Sequence, residues 1–366
     1  MKILLHGADN NSNFGDVLFA HLFYEKCLEV GFESVDFVQF PKYGIGEFCR
    51  KELKYTNRMS IRQMLKADAL ILISGGYFGE DQNNIKETIK RYIRYFLPAL
   101  IFQKTGKDVY ILGVGGGPLF SHFLRKAAVK IWNRAVHIRV RESETKKYFE
   151  QYGVINNIVI TSDTAQVITQ DVLPSLKIEN DLKQRFGNKK LILLHLVMKQ
   201  ENDQKIAEYI VPALKRFITE YPDYGIVAAP DFVRDREVLL NLKTIEALGL
   251  SNCYVYDYYD SWQMCALINR MDIVITTKLH VGIVGASLGK SVLSFPAHRE
   301  KTGRYYHQIG EDGRCIHINK IDENIVYDQF LKYYDKPIIL SKEIRMLAQS
   351  NLDVIDDIAA GNPINR

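Results

Sequence analysis

The 366-residue chain lacks the sequence features of membrane-spanning and disulfide-bonded proteins. It has no apolar run of about 18 residues or more, so we expect no transmembrane span. The apolar run at Met1 to Leu5 is too short for a signal peptide, and we therefore expect a cytoplasmic protein. The five cysteines are odd in number, widely spaced and without a Cys-x-x-Cys pair, which predicts reduced thiols.

Motifs for metals, nucleotides and nucleic acids are also missing. No His-Glu-x-x-His, EF-hand or paired His/Asp spacing occurs, so we expect no metal. The Gly-x-Gly-x-x-Gly and P-loop patterns are absent, which disfavours a dinucleotide cofactor. The net charge of +5 is spread along the chain without a nucleic-acid motif, which favours small anions or an anionic membrane surface as partners.

The chain does contain a regular alternation of short apolar runs and amphipathic stretches. This alternation predicts an α/β fold with parallel sheets covered by helices on both faces. We predict strands at residues 3–7, 35–40, 69–74, 109–113, 136–140, 158–160, 191–196, 226–229, 253–256, 273–276 and 291–295. We predict helices at residues 16–30, 85–103, 120–132, 143–152, 204–221, 236–248, 261–270, 281–288 and 341–359.

The alternation is interrupted at residues 165–187, which suggests a connector between two domains. We therefore predict an N-terminal α/β domain at 1–170 and a C-terminal α/β domain at 185–335. The two are expected to face each other across a cleft, and a helix at 339–366 is expected to cross back. Residues 41–60 are predicted to form a long loop that acts as a lid or binds an acceptor.

The most informative stretch runs from Asp272 to His280. An apolar strand there ends in a cation, a spacer and a histidine, and alternate residues of an extended strand face the same side. Lys278 and His280 are therefore expected to face one cleft together. A cation and an imidazole at the carboxyl edge of a parallel sheet suit an anionic substrate. Lys301, after the next strand, is interpreted either as a further cation of this edge or as part of a solvated charge run.

Polar and glycine-rich turns follow the strands of the first half. Asn13 and Asp16 suit either a sugar-binding loop or a capped helix start. Gly75-Gly76 and Gly115-Gly116 permit close approach of a ligand to the backbone, or simply form tight turns. Both interpretations remain open for each turn.

Charged and titratable residues lie on the predicted strands themselves. Arg139 and Arg141 are expected on one face, where their guanidinium forks match carboxylate or phosphate, and the alternative is a surface arginine paired with Glu142 or Glu144. His6, His137 and His195 lie in apolar strands and are predicted to be satisfied core residues.

In their order and spacing, these blocks resemble the polysaccharide pyruvyl transferase family over roughly residues 1–310. The matching blocks are Asn13-Phe14-Gly15-Asp16, Gly75-Gly76, Gly113 to Gly117, Arg139 to Ser143, Asp163-Thr164-Ala165 and Lys278-Leu279-His280, followed by Gly289 and Lys301. Two positions depart from the family pattern. Lys278 occupies a place where arginine is usual, and Val17 one where an acid is common.

The resemblance implies two Rossmann-like domains similar to GT-B glycosyltransferases, with the domain at 1–170 on the acceptor side and the domain at 185–335 on the donor side. It implies that phosphoenolpyruvate donates a pyruvyl group to a hexose of a polysaccharide or lipid-linked glycan, forming a pyruvate ketal and releasing phosphate. No cofactor beyond this co-substrate is expected. His280 and Asp16 are the expected catalytic residues, and Asn13 and Asp16 the expected acceptor ligands. The expected donor ligands are Arg141, Lys278, Lys301, Gly75, Gly76, Gly115 and Gly116.

Two alternative functions stay open at this point. One is a GT-B glycosyltransferase that uses a nucleotide sugar, although the chain has no clear ribose-binding acid. The other is a non-catalytic, glycan-binding relative. This alternative stays open because Lys278 stands where the family usually has arginine.

The segment 86–104 interleaves Lys90, Arg91 and Arg94 with aromatic and aliphatic residues. Such a helix suits a membrane surface, which would bring the protein to the inner face of the plasma membrane, near a lipid-linked acceptor. The alternative is a core-facing helix with one solvated side.

Overall fold

The structure, a computed structural model, describes residues 1–8, 12–39, 44–80, 82, 84–196, 203–231, 235–249, 253–257, 260–297 and 299–361. The chain divides into two compact units. The second unit comprises Ala165–Ser341, and the first comprises the chain before and after it. Each unit is built around its own parallel β-sheet.

The sheet of the first unit has the strand order β2-β1-β3-β5-β6-β7, with β4 paired to the distal half of β5. Its strands are β1 Lys2–His6, β2 Ser34–Phe37, β3 Ala69–Leu72, β4 Gly75–Phe78, β5 Asp108–Gly116, β6 His137–Val140 and β7 Val159–Ile160. Helices α1 to α7 lie between or after these strands, and a π-helical turn at Tyr92–Phe96 separates α4 from α5. They are α1 Phe14–Glu29, α2 Glu47–Glu52, α3 Ile61–Met64, α4 Ile85–Arg91, α5 Leu97–Lys104, α6 His122–Trp132 and α7 Ser143–Tyr152.

The sheet of the second unit has the order β10-β9-β8-β11-β12, again all parallel. Its strands are β8 Lys190–His195, β9 Tyr224–Ala228, β10 Cys253–Val255, β11 Ile273–Thr276 and β12 Ser291–Ser294. Its helices are α8 Glu179–Phe186, α9 Asp203–Lys205, α10 Val211–Glu220, α11 Asp235–Leu248, α12 Ser261–Arg270, α13 Leu279–Ser287, α14 Arg299–Gln308 and α15 Glu323–Tyr333. A second π-helical turn, Ile206–Ile210, joins α9 to α10.

Several strands are buried along their whole length: every residue is buried in the central strands β3 and β11, and also in the edge strand β12. Parallel strands covered by helices on both faces need apolar residues on both sides, which explains their continuous apolar runs. In the first unit the core between sheet and helices includes the stacked rings of Trp132 and Phe149, whose centroids are 3.7 Å apart.

The last helix, α16 Lys342–Ala359, packs within the first unit. Its buried Asn351 donates to the carbonyl of Ser162 at 2.9 Å and accepts from Thr161 Oγ1 at 2.9 Å. Near its other end, Asp356 pairs with Lys26 at 2.8 Å. These contacts attach α16 to the residues that follow β7 and to helix α1.

Two predictions about irregular segments are wrong. The predicted loop at 41–60 contains α2 within its described part, since residues 41–43 lie outside the described ranges. The predicted connector at 165–187 contains α8, whose buried Leu182 and Phe186 give it an apolar side. In the described ranges, no helix has both the length and the hydrophobicity needed to cross a membrane.

Candidate functional site

The carboxyl edge of the second sheet carries a cation at the start of a helix. Strand β11 ends at Thr276, and Lys278 is the N-cap of α13 in an extended conformation, with no side-chain capping bond. A lysine offers no acceptor to the backbone N–H groups of the first helical turn. An anionic ligand bound there would accept from such groups and would be stabilised by the helix dipole.

A buried carboxylate lies beside this lysine. Asp231, which follows β9, is 2% exposed, and its Oδ1 lies 3.8 Å from Lys278 Nζ. The same oxygen lies 3.4 Å from Nε2 of His195, the last residue of β8. The other ring nitrogen of His195 is 2.8 Å from Thr276 Oγ1, which also accepts from the Lys278 N–H at 3.0 Å. The ends of β8, β9 and β11 thus meet in one connected polar group, which we call the Asp231 cluster: Asp231, His195, Thr276 and Lys278.

The charges of this cluster favour an ionised Asp231. Burial alone would raise the pKa of the carboxyl, but its interactions with Lys278, His195 and His280 outweigh burial and hold that pKa far below its usual range. The carboxylate therefore fixes the position of Lys278. The lysine side chain is 34% exposed, so it is also reached from solvent.

Lys278 and His280 lie at the same place in the fold, but not for the reason the sequence suggested. The prediction that an extended strand presents both side chains is wrong, because β11 ends at Thr276 and His280 lies in the first turn of α13. The N-cap and the first helical turn bring the two residues to the sheet edge instead. His280 is partly exposed and acts electrostatically on Asp231.

Lys301 lies in the first turn of α14, after β12. Because β12 pairs in parallel with β11, α13 and α14 both begin at the carboxyl edge of this sheet. Lys301 is partly exposed. Its role as a donor ligand stays a prediction.

In the first unit, Arg141 is buried and held by two carboxylates. It is 4% exposed, and its Nε donates to Glu142 Oε2 at 3.0 Å and its Nη1 to Asp163 Oδ2 at 2.9 Å. Burial would lower the pKa of Arg141, but the two carboxylates outweigh it and raise that pKa. Pairing with Glu142 was one of the open interpretations, although the pair is buried and not at the surface. Donor binding by Arg141 stays a prediction. The positive charge of Arg141 is already paired with Glu142 and Asp163, so a bound donor would have to share the guanidinium with these carboxylates.

The glycine turns of the first unit have tight packing around them. A Cβ on Gly115 would lie 2.6 Å from Arg141 Nε, and one on Gly116 would lie 2.9 Å from the Phe149 ring. Gly75 adopts a positive φ of 153°, and Gly76 is partly exposed. Next to them, Ser74 Oγ lies 2.6 Å from Thr164 Oγ1. The packing explains Gly115 and Gly116 without a ligand, so their donor-binding role also stays a prediction.

The first helix begins with the two predicted acceptor residues. Asn13 is the N-cap of α1, but its side chain makes no capping bond, so the capped-start interpretation is wrong for Asn13. Asp16 lies in the first turn of α1 and is partly exposed. Both residues lie after the carboxyl end of β1, and their role in acceptor binding stays a prediction.

Three residues of the Asp231 cluster, namely Asp231, His195 and Thr276, were not identified as site residues from the sequence. His195 was predicted to be a satisfied core residue, and it is fully buried, but it faces Asp231 beside Lys278. Asp231 was not considered at all. Its position directly after an apolar strand was the available signal, because strand ends in such sheets bind ligands. Within the described ranges, no group of three His, Cys, Asp or Glu side chains is arranged to hold a metal ion.

Comparison with solved structures defines the fold class. UDP-GlcNAc 2-epimerase from Methanocaldococcus jannaschii is similar with a TM-score of 0.67 and 12% sequence identity, covering 99% of this chain and 100% of that one. A putative UDP-N-acetylglucosamine 2-epimerase from Listeria monocytogenes gives 0.63 and 14%, covering 99% and 97%. Anabaena Alr3699/HepE in complex with UDP-glucose gives 0.54 and 13%, covering 99% and 98%. At these identities the likeness shows the fold alone, and it confirms a GT-B-like α/β protein with two Rossmann-like domains.

The family follows from the sequence match. The family model for polysaccharide pyruvyl transferase matches residues 13–299, which is most of the chain. The chain therefore belongs to the polysaccharide pyruvyl transferase family, as its motifs predicted. Asn13, Arg141, Lys278 and His280 lie inside the match, and Lys301 lies just beyond it. No curated protein matches the chain.

Proposed function

We propose that this protein transfers the pyruvyl group of phosphoenolpyruvate to a hexose of a polysaccharide or lipid-linked glycan, forming a pyruvate ketal and releasing phosphate. The observation that carries the proposal is the carboxyl edge of the second sheet. There Lys278, His280 and the start of α13 lie together beside buried Asp231. Membership of the family supports pyruvyl transfer as the reaction class.

The donor carries a carboxylate and a phosphate, and both need positive partners. Lys278 and the backbone N–H groups at the start of α13 supply them, and Lys301 adds a cation at the start of the neighbouring α14. In this proposal Gly75, Gly76, Gly115 and Gly116 allow close approach of the donor to the backbone. Arg141 acts as a positioning residue, because its guanidinium packs on Gly115 and already binds two carboxylates.

The chemistry requires one proton to reach carbon and one to leave with phosphate. A proton adds to the methylene carbon of the donor, which becomes the ketal methyl group. One sugar hydroxyl forms a bond to the central carbon, the bond from that carbon to the phosphate oxygen breaks, and a second hydroxyl of the same sugar closes the ring. The two hydroxyl protons balance the methyl group and the released phosphate. We assign proton delivery or phosphate contact to His280, and removal of the acceptor hydroxyl proton to Asp16, with Asn13 binding the acceptor.

Replacing His280 with Ala tests this assignment. We expect His280→Ala to lower kcat for phosphate release, measured with phosphoenolpyruvate and an acceptor glycan, by about 10²–10⁴-fold, the usual contribution of a general acid or base. His307→Ala is the matched control, since His307 lies in the same unit on α14 and its side chain is 76% exposed. Full activity in His280→Ala would remove this histidine from the mechanism.

Thermal shifts with candidate donors separate this proposal from its alternatives. Phosphoenolpyruvate is expected to stabilise the protein, whereas UDP-glucose and UDP-GlcNAc are not, because only a true ligand shifts unfolding by mass action. Stabilisation by a UDP-sugar alone would favour a glycosyltransferase. Glycan binding without phosphate release would favour a non-catalytic relative.

Peripheral membrane contact is part of the proposal, because a lipid-linked acceptor lies at a membrane surface. Helix α4 supports this contact, because it exposes apolar side chains next to a cation. Ile85 is 77% exposed and Ile89 is 52% exposed, and the side chain of Lys90 is also 52% exposed. By contrast Tyr95 and Phe96, further along, are buried in the core. We expect flotation of the protein with anionic vesicles, and reduced flotation of the double variant Ile85→Ser with Ile89→Ser. Equal flotation of the two proteins would contradict a role for α4.

A further inference from the structure

Exposed apolar side chains continue from α4 to a second element of the first unit. Ile85 and Ile89 on α4 are exposed, and so are Phe120 and Phe123 at the start of α6. Tyr92 follows Ile89 by three residues on the same side of the helix, and its ring centroid lies 4.6 Å from that of Phe123. We call these five residues the apolar stripe. Single exposed apolar residues are common, whereas a connected group marks an interaction surface.

Hydrogen bonds hold the two parts of the stripe in place. The buried carboxylate of Glu80 accepts from Thr88 Oγ1 on α4 at 2.8 Å and from the Ser121 N–H at the start of α6 at 2.8 Å. Phe120 lies directly before Ser121, and on its other side the Leu119 N–H donates to the hydroxyl group of the last residue of α7 at 2.8 Å. The exposed rings are therefore presented by a fixed backbone, which lowers the entropy lost on binding a partner.

The two helices that carry the stripe are positively charged. Along their described lengths α4 and α6 contain one acid, Glu87, and six cations: Lys86, Lys90, Arg91, Arg125, Lys126 and Lys130. Lys126 and Lys130 follow Phe123 by three and seven residues, so they lie on its side of α6, and both are exposed. Apolar side chains bordered by lysines complement an anionic bilayer, whereas a second copy of the chain would bring the same charge.

The stripe begins at the edge of the sheet that carries the predicted acceptor residues. Strand β1 pairs in parallel with β3, and β3 pairs in parallel with β5, so their carboxyl ends share one edge. Asn13 and Asp16 follow the carboxyl end of β1, and Phe120 follows that of β5 by four residues. A membrane at the stripe would therefore bring a lipid-linked acceptor to the edge where Asn13 and Asp16 lie.

We propose that the apolar stripe inserts into the headgroup layer of an anionic membrane, with Phe120 and Phe123 as the aromatic anchors. This inference rests on the proposed function, because it extends the membrane contact of α4 to a second element and defines the side of the first unit that faces the lipid. The lysines of α4 and α6 contact the anionic headgroups around the inserted rings. None of the five residues of the stripe is assigned to donor or acceptor binding.

Binding of the full chain to vesicles of phosphatidylglycerol and phosphatidylcholine tests the role of the two rings. The double variant Phe120→Ser with Phe123→Ser is expected to lower the partition coefficient about tenfold or more, because both rings lose their apolar burial. Ile155→Ser is the matched control. Ile155 is an exposed apolar residue at the opposite end of α6, where its N–H donates to Asn133 at 2.8 Å, and this variant is expected to bind as the parent does. Equal partitioning of the double variant and the parent would overturn the proposal.

Tryptophan fluorescence distinguishes insertion from adsorption by charge alone. With these vesicles, the added tryptophan of Phe120→Trp is expected to emit at shorter wavelength and to be quenched by lipids that carry bromine in their acyl chains. The added tryptophan of Ile155→Trp is expected to show neither effect. Vesicle binding of Phe120→Trp without quenching would overturn the proposal. This measurement stays decisive if the double serine variant does not fold.

Three further measurements separate the membrane from other partners and from the reaction. Vesicles of phosphatidylcholine alone are expected to bind the parent protein at least about fivefold more weakly, and equal binding would overturn the choice of an anionic membrane. Self-association of the parent that is lost in the double serine variant would assign the stripe to a second copy and overturn the proposal. Phosphate release with a water-soluble acceptor glycan is expected to be unchanged in the double variant. Its absence from the parent would count against the proposed reaction only, since vesicle binding needs no donor.

Discussion

Asp231→Asn is expected to lower kcat for pyruvyl transfer about 10²-fold, since small displacements of catalytic groups have effects of this size. The carboxylate lies 3.8 Å from Lys278 Nζ and 3.4 Å from His195 Nε2, so the neutral amide weakens the contacts that hold both side chains in place. The KM for phosphoenolpyruvate is expected not to rise, because the site becomes more positive when the carboxylate charge is removed. Steady-state kinetics of phosphate release, with donor concentration varied at saturating acceptor, measures both constants.

The split between kcat and KM is what identifies a positioning role. A raised KM with unchanged kcat would show that Asp231 supports ground-state binding only, which contradicts the prediction. Asp272→Asn is a suitable control. Asp272 belongs to the same sheet and accepts from the Leu191 N–H at 2.8 Å, but it lies at the amino edge, before β11. This control is expected to keep its activity even where it loses stability.

The second sheet illustrates how far sequence patterns reach. The apolar run before Lys278 predicted β11, and the small residues after it predicted α13, because buried parallel strands and their packed helices need such residues. The position of His280 relative to Lys278 was predicted for the wrong reason, since the exact end of a strand depends on its hydrogen-bonded neighbours. Tertiary contacts change the ends of helices and strands more easily than they change the type of element that a local pattern predicts.

Contacts between residues far apart in the sequence could not be predicted from local sequence patterns. His195 and Asp231 reach Lys278 only because β8 lies between β9 and β11 in the sheet order. That order places three strand ends together and is not encoded in any short segment. Strand β4 was missed for a different reason: its Gly75-Gly76 start has no alternation and reads as a turn.

The π-helical turn at Tyr92–Phe96 had a signal in the sequence that was not used. Pro98 within a predicted helix at residues 85–103 indicated an interrupted hydrogen-bond pattern. The structure has a π-helical turn at this place, and the carbonyl of Arg94 is bonded by His6 from β1. The proline was visible in the sequence, whereas the histidine that compensates for it required the fold.

Arg141→Ala is expected to lower the free energy of unfolding of the first unit by about 3–5 kcal/mol, because it leaves two buried carboxylates without their shared cation. Glu142 and Asp163 are 6% and 2% exposed, so water does not replace the guanidinium. Equilibrium denaturation, followed by fluorescence of Trp132 in the core of that unit, measures the change. Arg139→Ala is the control from the same strand. Arg139 is half-buried and donates to His137 Nε2 and Ser350 Oγ, and its loss is expected to cost about 1 kcal/mol or less.

A neutral version of the same group separates stability from donor binding. The triple variant Arg141→Met, Glu142→Gln and Asp163→Asn removes the cation together with both anions, and it is expected to recover most of the lost stability, because no unpaired buried charge remains. If Arg141 only positions Gly115 and Asp163, this variant keeps its thermal shift with phosphoenolpyruvate. If Arg141 binds the donor directly, that shift is lost although the protein is folded. A triple variant as unstable as Arg141→Ala would contradict the charge argument itself, since the destabilisation would then come from lost packing against Gly115 and not from unpaired carboxylates.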